Sequence, residues 1–338
     1  MKKRGVGYAS IFYGTGYGNG FPDESRAYAN LREDGHIDIY VEVSDVGSGG
    51  ISVMWQIAAE ALGVEKDLVK VIFTSTQVTK DSGTAAASRQ TYNTGNAVLD
   101  AARNLRENMH MVDEKTSEMK IDFAEGNPHC CDKGDMEERD SENSKRLKEE
   151  DLKYIYSKMK DCGLSTKVDG YFKADTTTIN METGQGNPYW PYTFGAQRVT
   201  VEVDDETGKV DVLDVVAIND AGKIINPVSA EGQAEGGVAM GIGYALMEEI
   251  EVNKGSIKNR NFSDYIIPTS KDVPHIKTHF IEAIEETGPY GAKGIGEPVM
   301  IPTAPAILNA IYDAVGIRFT SIPVTCDRLL LAIAEKNQ

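Results

Sequence analysis

Glu297 has the least ordinary surroundings of any acid in this chain. Gly291, Gly294 and Gly296 precede it and Pro298 follows it, within the stretch GPYGAKGIGEPVMIPTAPAILNAIYDAVG at residues 288–316. Glycine lets a bulky group approach the main chain closely, and the proline biases Glu297 towards an extended conformation. A carboxylate displayed in this way can serve as a general base for whatever lies against the loop. Partial burial would favour that role, because desolvation makes a carboxylate hold a proton more readily. The plainer reading is a solvated turn acid ahead of a core helix, which is what most loop acids are.

Three further loops are rich in small residues. Residues 45–50 carry Gly47, Ser48 and Gly49; residues 82–95 carry Ala85, Ala86, Ala87, Ser88, Arg89 and Gln90; residues 221–237 carry Gln233. The Glu297 loop, residues 291–298, adds Lys293, Gly294 and Gly296. Each lies between an expected strand and helix or leads into a helix, and helix N-termini offer unpaired N–H groups to an anion. One such loop is only a turn. Four together suit a bulky cofactor with a pyrophosphate, which no single loop could hold. Arg89 either pairs with a phosphate there or serves the structure. The run GTGYGNG at 14–20 lacks the third glycine of GxGxxG, so it is a poor dinucleotide fingerprint.

The elements that must position these loops are read from periodicity. Residues 5–13, 37–43 and 69–76 read as strands, and residues 194–203 and 209–218 as a hairpin across DDETG. One helix places Met54, Ile57, Ala58, Ala61 and Leu62 on one face and stops at Gly63; a second aligns Val98, Ala101, Ala102 and Leu105. A glycine-rich helix spans 229–248, with Gly236, Gly237, Gly241 and Gly243, which makes sense if a backbone or large ligand packs closely. The last helix starts with Thr303 as cap and Pro305 in its first turn, buries Ile307, Ala310, Ile311, Ala314 and Val315, and ends at Gly316. Each half runs strand, glycine loop, helix. This gives an α+β chain in three parts: a first subdomain at 1–118, a charged insert or linker at 119–165 with a short amphipathic helix through Leu152, Ile155, Tyr156 and Met159, and a second subdomain at 166–338.

A net charge of −17 over 338 residues argues against nucleic acid or an anionic membrane as partner. No run is long enough to span a membrane, and the start MKKRGVGYASIFYGTG breaks too early at glycines for a signal peptide. Cys130, Cys131, Cys162 and Cys326 have no CxxC spacing, which suggests reduced thiols in a cytoplasmic protein and no iron–sulfur or zinc site.

The loops also resemble, in order, those of the molybdenum hydroxylases, the xanthine dehydrogenase and aldehyde oxidoreductase family. SDVGSGGISVMWQIAAEALG is similar to the family's EMGQG loop and helix, with Ser48 where the family has glutamine; SGTAAASRQTYNTGNAV, NPVSAEGQAEGG, GEP and the C-terminal IPTAPAILNAIYDAVGIRFTSIPVTCDRLLLAI follow. The resemblance implies the family's molybdenum-cofactor domain, with Glu297 as base beside the metal and Gln233 near its apical side. It implies a molybdopterin cytosine dinucleotide, with a sulfido or selenido ligand on Mo, held by 47–49, 85–90, Lys293, Gly294 and Gly296. No protein side chain would bind the metal directly. The family's N-terminal half, with its Gly-Gly-Phe-Gly loop, has no counterpart here, nor do its iron–sulfur cysteines or flavin domain. The chain therefore resembles the C-terminal half of a split subunit, as in the medium molybdopterin subunit of nicotinate dehydrogenase. Partners would be the N-terminal-half chain, an iron–sulfur subunit and an FAD subunit, in a dimer of heteromers acting on a small nitrogen heterocycle, nicotinate before others. A xanthine or aldehyde substrate is the alternative, and a non-catalytic assembly subunit the second.

Overall fold

Alternation on the strands and 3.6-residue periodicity on the helices build two separate cores. The computed structural model describes residues 1–18, 20–116 and 146–336. In chain order the elements are β1 (Lys2–Gly14), β2 (Glu24–Leu31), β3 (Ile37–Val41), α1 (Gly50–Leu62), β4 (Val69–Ile72), α2 (Gly95–Thr116), α3 (Glu149–Asp161), β5 (Lys167–Lys173), β6 (Tyr192–Asp204), β7 (Val210–Asp220), α4 (Pro227–Leu246), β8 (Val252–Asn253), β9 (Ser256–Ile257), β10 (Ile276–Ile281), α5 (Thr303–Val315) and α6 (Cys326–Lys336). One sheet has the order β1–β6–β7–β10, antiparallel except for the β7–β10 pair. The other has the order β4–β3–β2–β5, antiparallel except for β3–β4. Strands β8 and β9 make a small hairpin. This is the mixed α+β class expected.

The sheets do not follow the division into 1–118 and 166–338. Strand β1 pairs along its whole length with β6, from Lys2–Asp204 to Gly14–Tyr192, and β5 pairs with β2. Close approach of helices explains the exchange. A Cβ on Gly5 or Gly7 would sit 2.1 or 2.0 Å from the carbonyl oxygens of Ala310 and Ala306, so the α5 backbone lies directly on β1. A Cβ on Gly170 of β5 would sit 2.2 Å from Ala97 O in α2. Each exchanged strand thus seats a helix of the layer it joins.

Within the first sheet, Val199, Val201 and Val203 alternate inwards on β6 and meet Val238 and Ile242 of α4 and Ile307, Ala310 and Ile311 of α5. Within the second, Ile37, Ile39 and Val41 of β3 pack on Met54, Ile57 and Ala58 of α1 and on Val98, Ala101 and Leu105 of α2. Gly63 and Gly316 close α1 and α5 in the left-handed conformation, as read from the sequence. The strand expected at 69–76 ends at Ile72.

Two expectations are corrected. Thr303 does not cap α5: Pro302 occupies the cap position, and the buried Thr303 hydroxyl donates to Gln197 Oε1 at 2.8 Å. Gln197 in turn donates to the Val299 carbonyl at 2.7 Å, which ties the Glu297 loop to β6. Nor is all of the charged run up to residue 153 peripheral, as its low apolar content suggests, while the short amphipathic helix forms as read. Leu147, Leu152, Ile155 and Met159 are buried in the core of the second sheet, and Leu147 N–H donates to Gly63 O at 3.0 Å. Their helical spacing outweighs the charge around them. Cys130, Cys131 and most of the charged run lie outside the described residues. Cys162 and Cys326 are free thiols. Among the described residues, no helix is long and apolar enough to cross a membrane.

Candidate active site

The four small-residue loops meet at one cleft of about 550 Å³. Its wall includes Gly47 and Ser48 ahead of α1; Ala85, Ala86, Ser88, Arg89 and Gln90 ahead of α2; Gln233 on α4; and Gly294, Gly296 and Glu297. Of the residues expected there, only Gly49, Ala87 and Lys293 stand off this wall. Gly49 packs near Ser229, the Ala87 carbonyl accepts from Gly16 N–H at 3.0 Å, and Lys293 turns inwards. Val46, Val53, Gly232, Met240 and Met300 also line the wall without having been expected, and Gly236 lines it from the glycine-rich helix read as open to close approach.

Glu297 is exposed on this wall, as a displayed loop acid should be, without the partial burial that would favour a base. Its loop is interlocked with the loop of Ser88. The Ser88 hydroxyl donates to Glu297 Oε2, and Glu297 N–H donates to Ser88 Oγ at 2.9 Å. The fit depends on glycine: a Cβ on Gly294 would fall 1.7 Å from Ser88 O, and one on Gly296 3.0 Å from Ser88 Oγ. Tyr13, near the end of β1, is a third member that the sequence did not flag. Its phenol is close enough to interact with Ser88 and Glu297. Burial pushes that phenol up to about 12, opposed by the Ser88 hydrogen bond and assisted by the Glu297 charge. It therefore remains protonated, and a donor, at any ordinary pH.

Arg89 settles on structure. Its side chain is 1% exposed and pairs with Asp23 Oδ1 at 2.5 Å, with Ser82 O and Glu24 O at 2.8 Å each, and with Ser25 Oγ at 2.9 Å. All of its charge is directed into the protein, away from any phosphate. Lys293 behaves likewise, bonding Asp220 Oδ2 at 2.8 Å and Tyr192 O at 3.1 Å. These two pairs brace the loops from behind.

At two of the helix ends facing the cleft, part of the N–H array is already used within the chain. At α1, Asp45 accepts from Gly47 at 3.0 Å, Gly49 at 3.1 Å and Ile51 at 3.2 Å. Burial alone would raise the Asp45 carboxyl, but the amides of Ile51, Gly47 and Gly49 and the Ser48 hydroxyl hold it below the usual aspartate range. At α4, Asn226 Oδ1 accepts from Ser229 N–H at 3.1 Å. What the cleft also offers is bare main chain. A Cβ added to Gly47, Gly232 or Gly236 would meet no atom of this chain within 4 Å. With Ala85, Ala86, Gly294 and Gly296 also on the wall, the cleft suits a bulky group that needs close backbone approach and hydrogen bonds, and its size is within the roughly 300–1,000 Å³ usual for ligand sites. A pterin cofactor fits that description.

Residues 1–274 match the molybdopterin cofactor-binding domain. The chain is 34% identical over 336 residues to a xanthine dehydrogenase molybdenum-binding subunit of Escherichia coli, covering 97% of this chain and 42% of that protein. It is 31% identical over 339 residues to an aldehyde oxidoreductase of Megalodesulfovibrio gigas, covering 98% and 32%. The crystal structure of the aldehyde oxidoreductase from Desulfovibrio desulfuricans matches with a TM-score of 0.79 at 31% identity, again over 98% of this chain and 32% of that one. The chain thus spans less than half the length of these relatives. On this sequence match and on the fold, the chain belongs to the molybdopterin cofactor-binding family of the xanthine dehydrogenase and aldehyde oxidoreductase type.

Proposed function

We propose that this chain is part of a molybdenum-dependent hydroxylase and supplies its general base, Glu297. The observation that carries this reading is an exposed carboxylate, fixed by Ser88, on the wall of a cleft whose other described lining residues are neutral except for the internally paired Arg89. Main chain at Gly47, Ala85, Ala86, Gly294 and Gly296, with the side chains of Ser48, Gln90 and Gln233, would hold a molybdopterin cytosine dinucleotide. When bound, that cofactor supplies the two-electron oxidation of a substrate carbon. Glu297 accepts the proton given up by the water that provides the new hydroxyl group, and Gln233 orients its neighbours by hydrogen bonding. Val46, Val53, Met240 and Met300 offer the cleft an apolar, polarisable surface for a flat ring.

The substrate class proposed is a small electron-poor nitrogen heterocycle, with nicotinate first on the resemblance to the medium molybdopterin subunit of nicotinate dehydrogenase. A nicotinate carboxylate would find its cation on a partner, since Arg89, the one cation on the described wall, is committed to Asp23. Xanthine or an aldehyde is the second reading, favoured by the relatives' own names. With this reading we propose partner chains for the N-terminal half, the iron–sulfur clusters and FAD, in a dimer of heteromers. The test is purification of the native complex with molybdenum, selenium, iron, flavin and nucleotide analysis, followed by turnover of nicotinate, xanthine and an aldehyde in labelled water. A complex lacking molybdenum, or a product without label from water, would sink the proposal.

A further inference from the structure

We infer that the Ser88 side chain is a positioning group for Glu297 and not a ligand of the cofactor. This rests on the reading of Glu297 as base and assigns what holds that base in place. A serine hydroxyl has one proton to give. Here it goes to Glu297 Oε2, while the same oxygen accepts the Glu297 N–H at 2.9 Å. One hydroxyl therefore grips the acid at both its main chain and its carboxylate. That leaves the Ser88 hydroxyl no proton for a phosphate or a pterin, although it stands on the cleft wall.

The backbone shows how firmly this direction is set. Ala87 and Ser88 are consecutive non-glycine residues in the left-handed region, at φ 55° and 52°. Such residues persist only where the surroundings over-determine them. The surroundings do so here. Gly16 N–H holds the Ala87 carbonyl at 3.0 Å, Gly294 and Gly296 close on Ser88 from the opposite loop, and the next residue is anchored to Asp23. Tyr13, immediately before the GTG turn that carries Gly16, lies near Ser88 and Glu297 from β1. Three segments distant in sequence thus converge on one carboxylate. An exposed glutamate would otherwise sample many rotamers, and a base must meet its proton within hydrogen-bond reach.

The test uses the assembled, cofactor-loaded complex carrying Ser88→Ala. Misplacing a catalytic group by about 1 Å can cost roughly 10²-fold, so kcat should fall about 10- to 100-fold with KM moved less than about threefold. Molybdenum and nucleotide content should be unchanged, and a crystal structure should show the Glu297 carboxylate displaced. Gly296→Ala, whose Cβ would lie 3.0 Å from Ser88 Oγ, should reproduce a smaller loss of the same kind and carries the test if Ser88→Ala fails to assemble. In a Glu297→Gln background, Ser88→Ala should lower kcat no further. Unchanged kcat, an undisplaced Glu297, or loss of cofactor in step with activity would each overturn the inference. Near-normal turnover in Glu297→Gln alone would instead remove the base reading, while a displaced carboxylate in Ser88→Ala would still uphold the clamp.

Discussion

Ser88 and Arg89 are adjacent in the chain, yet they face opposite ways. Ser88 turns to the cleft and holds an exposed acid; Arg89 turns inwards, 1% exposed, and is satisfied by Asp23, two carbonyls within 2.8 Å and Ser25. The glycines of α4 divide in the same way. A Cβ on Gly237 would lie 2.5 Å from Val299 Cγ2, and one on Gly241 2.5 Å from Thr303 Cβ, so these glycines serve packing inside the chain. Gly232 and Gly236 face open space. Features satisfied within the chain belong to its stability. Features left bare or exposed at the cleft belong to what the chain binds and does.

The largest effect that could break this comparison is on Glu297. Glu297→Gln keeps size and packing but removes the proton acceptor, so turnover of the complex should fall by about 10²–10⁴-fold. Unfolding free energy should move by less than about 0.5 kcal/mol. Near-normal turnover with normal molybdenum content would move Glu297 to the structural side.

The second test goes to the other side of the same pair of residues. Arg89→Met leaves the Asp23 carboxylate buried beside an apolar chain, and breaking a buried pair from one side costs about 3–5 kcal/mol. Denaturant unfolding should show that loss before any cofactor is added. A loss under about 1 kcal/mol would free Arg89 for a functional role after all.

The glycines sharpen the distinction by sign. Gly241→Ala forces a methyl into Thr303 and should destabilise the chain by about 1–3 kcal/mol. Gly236→Ala meets nothing, and a helical Gly→Ala change there should stabilise the unloaded chain by about 0.5–1 kcal/mol while lowering cofactor or partner binding. Equal cofactor content in Gly236→Ala and the parent would show that nothing approaches that position.

The smallest effect is at Asp45. Asp45→Ala removes the acceptor from the α1 amides and should cost about 1 kcal/mol, as loss of a helix cap does. Its folded carboxyl lies below the usual aspartate range, so its contribution is complete above that range and is lost as pH falls through the lower folded value. Acid unfolding of the parent should therefore contain an increment that the variant lacks. Identical acid limbs would assign those amides to another partner.

Much of the framework was legible locally. The apolar faces of α1, α2 and α5, the β6–β7 hairpin and the closing glycines at 63 and 316 follow from periods of 3.6 and 2 and from positive φ. Strand β2 was not, because it buries Ser25, Ala27 and Ala29 at alternate positions, and small residues give little hydropathy contrast. Strand β5 buries only Gly170, and its membership, like that of β1, depends on which helix finds a glycine to lie against. In the insert, charge was read as exposure, whereas Leu147 sits in a core beside the expected helix of Leu152, Ile155 and Met159.

By itself, the sequence determined the α+β class, the four loops that form the cleft and the acid displayed on one of them. Each depends on residues close together in the chain, where steric limits on the backbone and apolar spacing act directly. The tertiary structure decided whose partner each side chain is. Ser88 meets Glu297 across 209 residues, Arg89 meets Asp23 across 66, and Lys293 meets Asp220 across 73. Whether a cation faces a phosphate or a buried carboxylate is a matter of distance and desolvation in three dimensions, and local spacing carries no information on either.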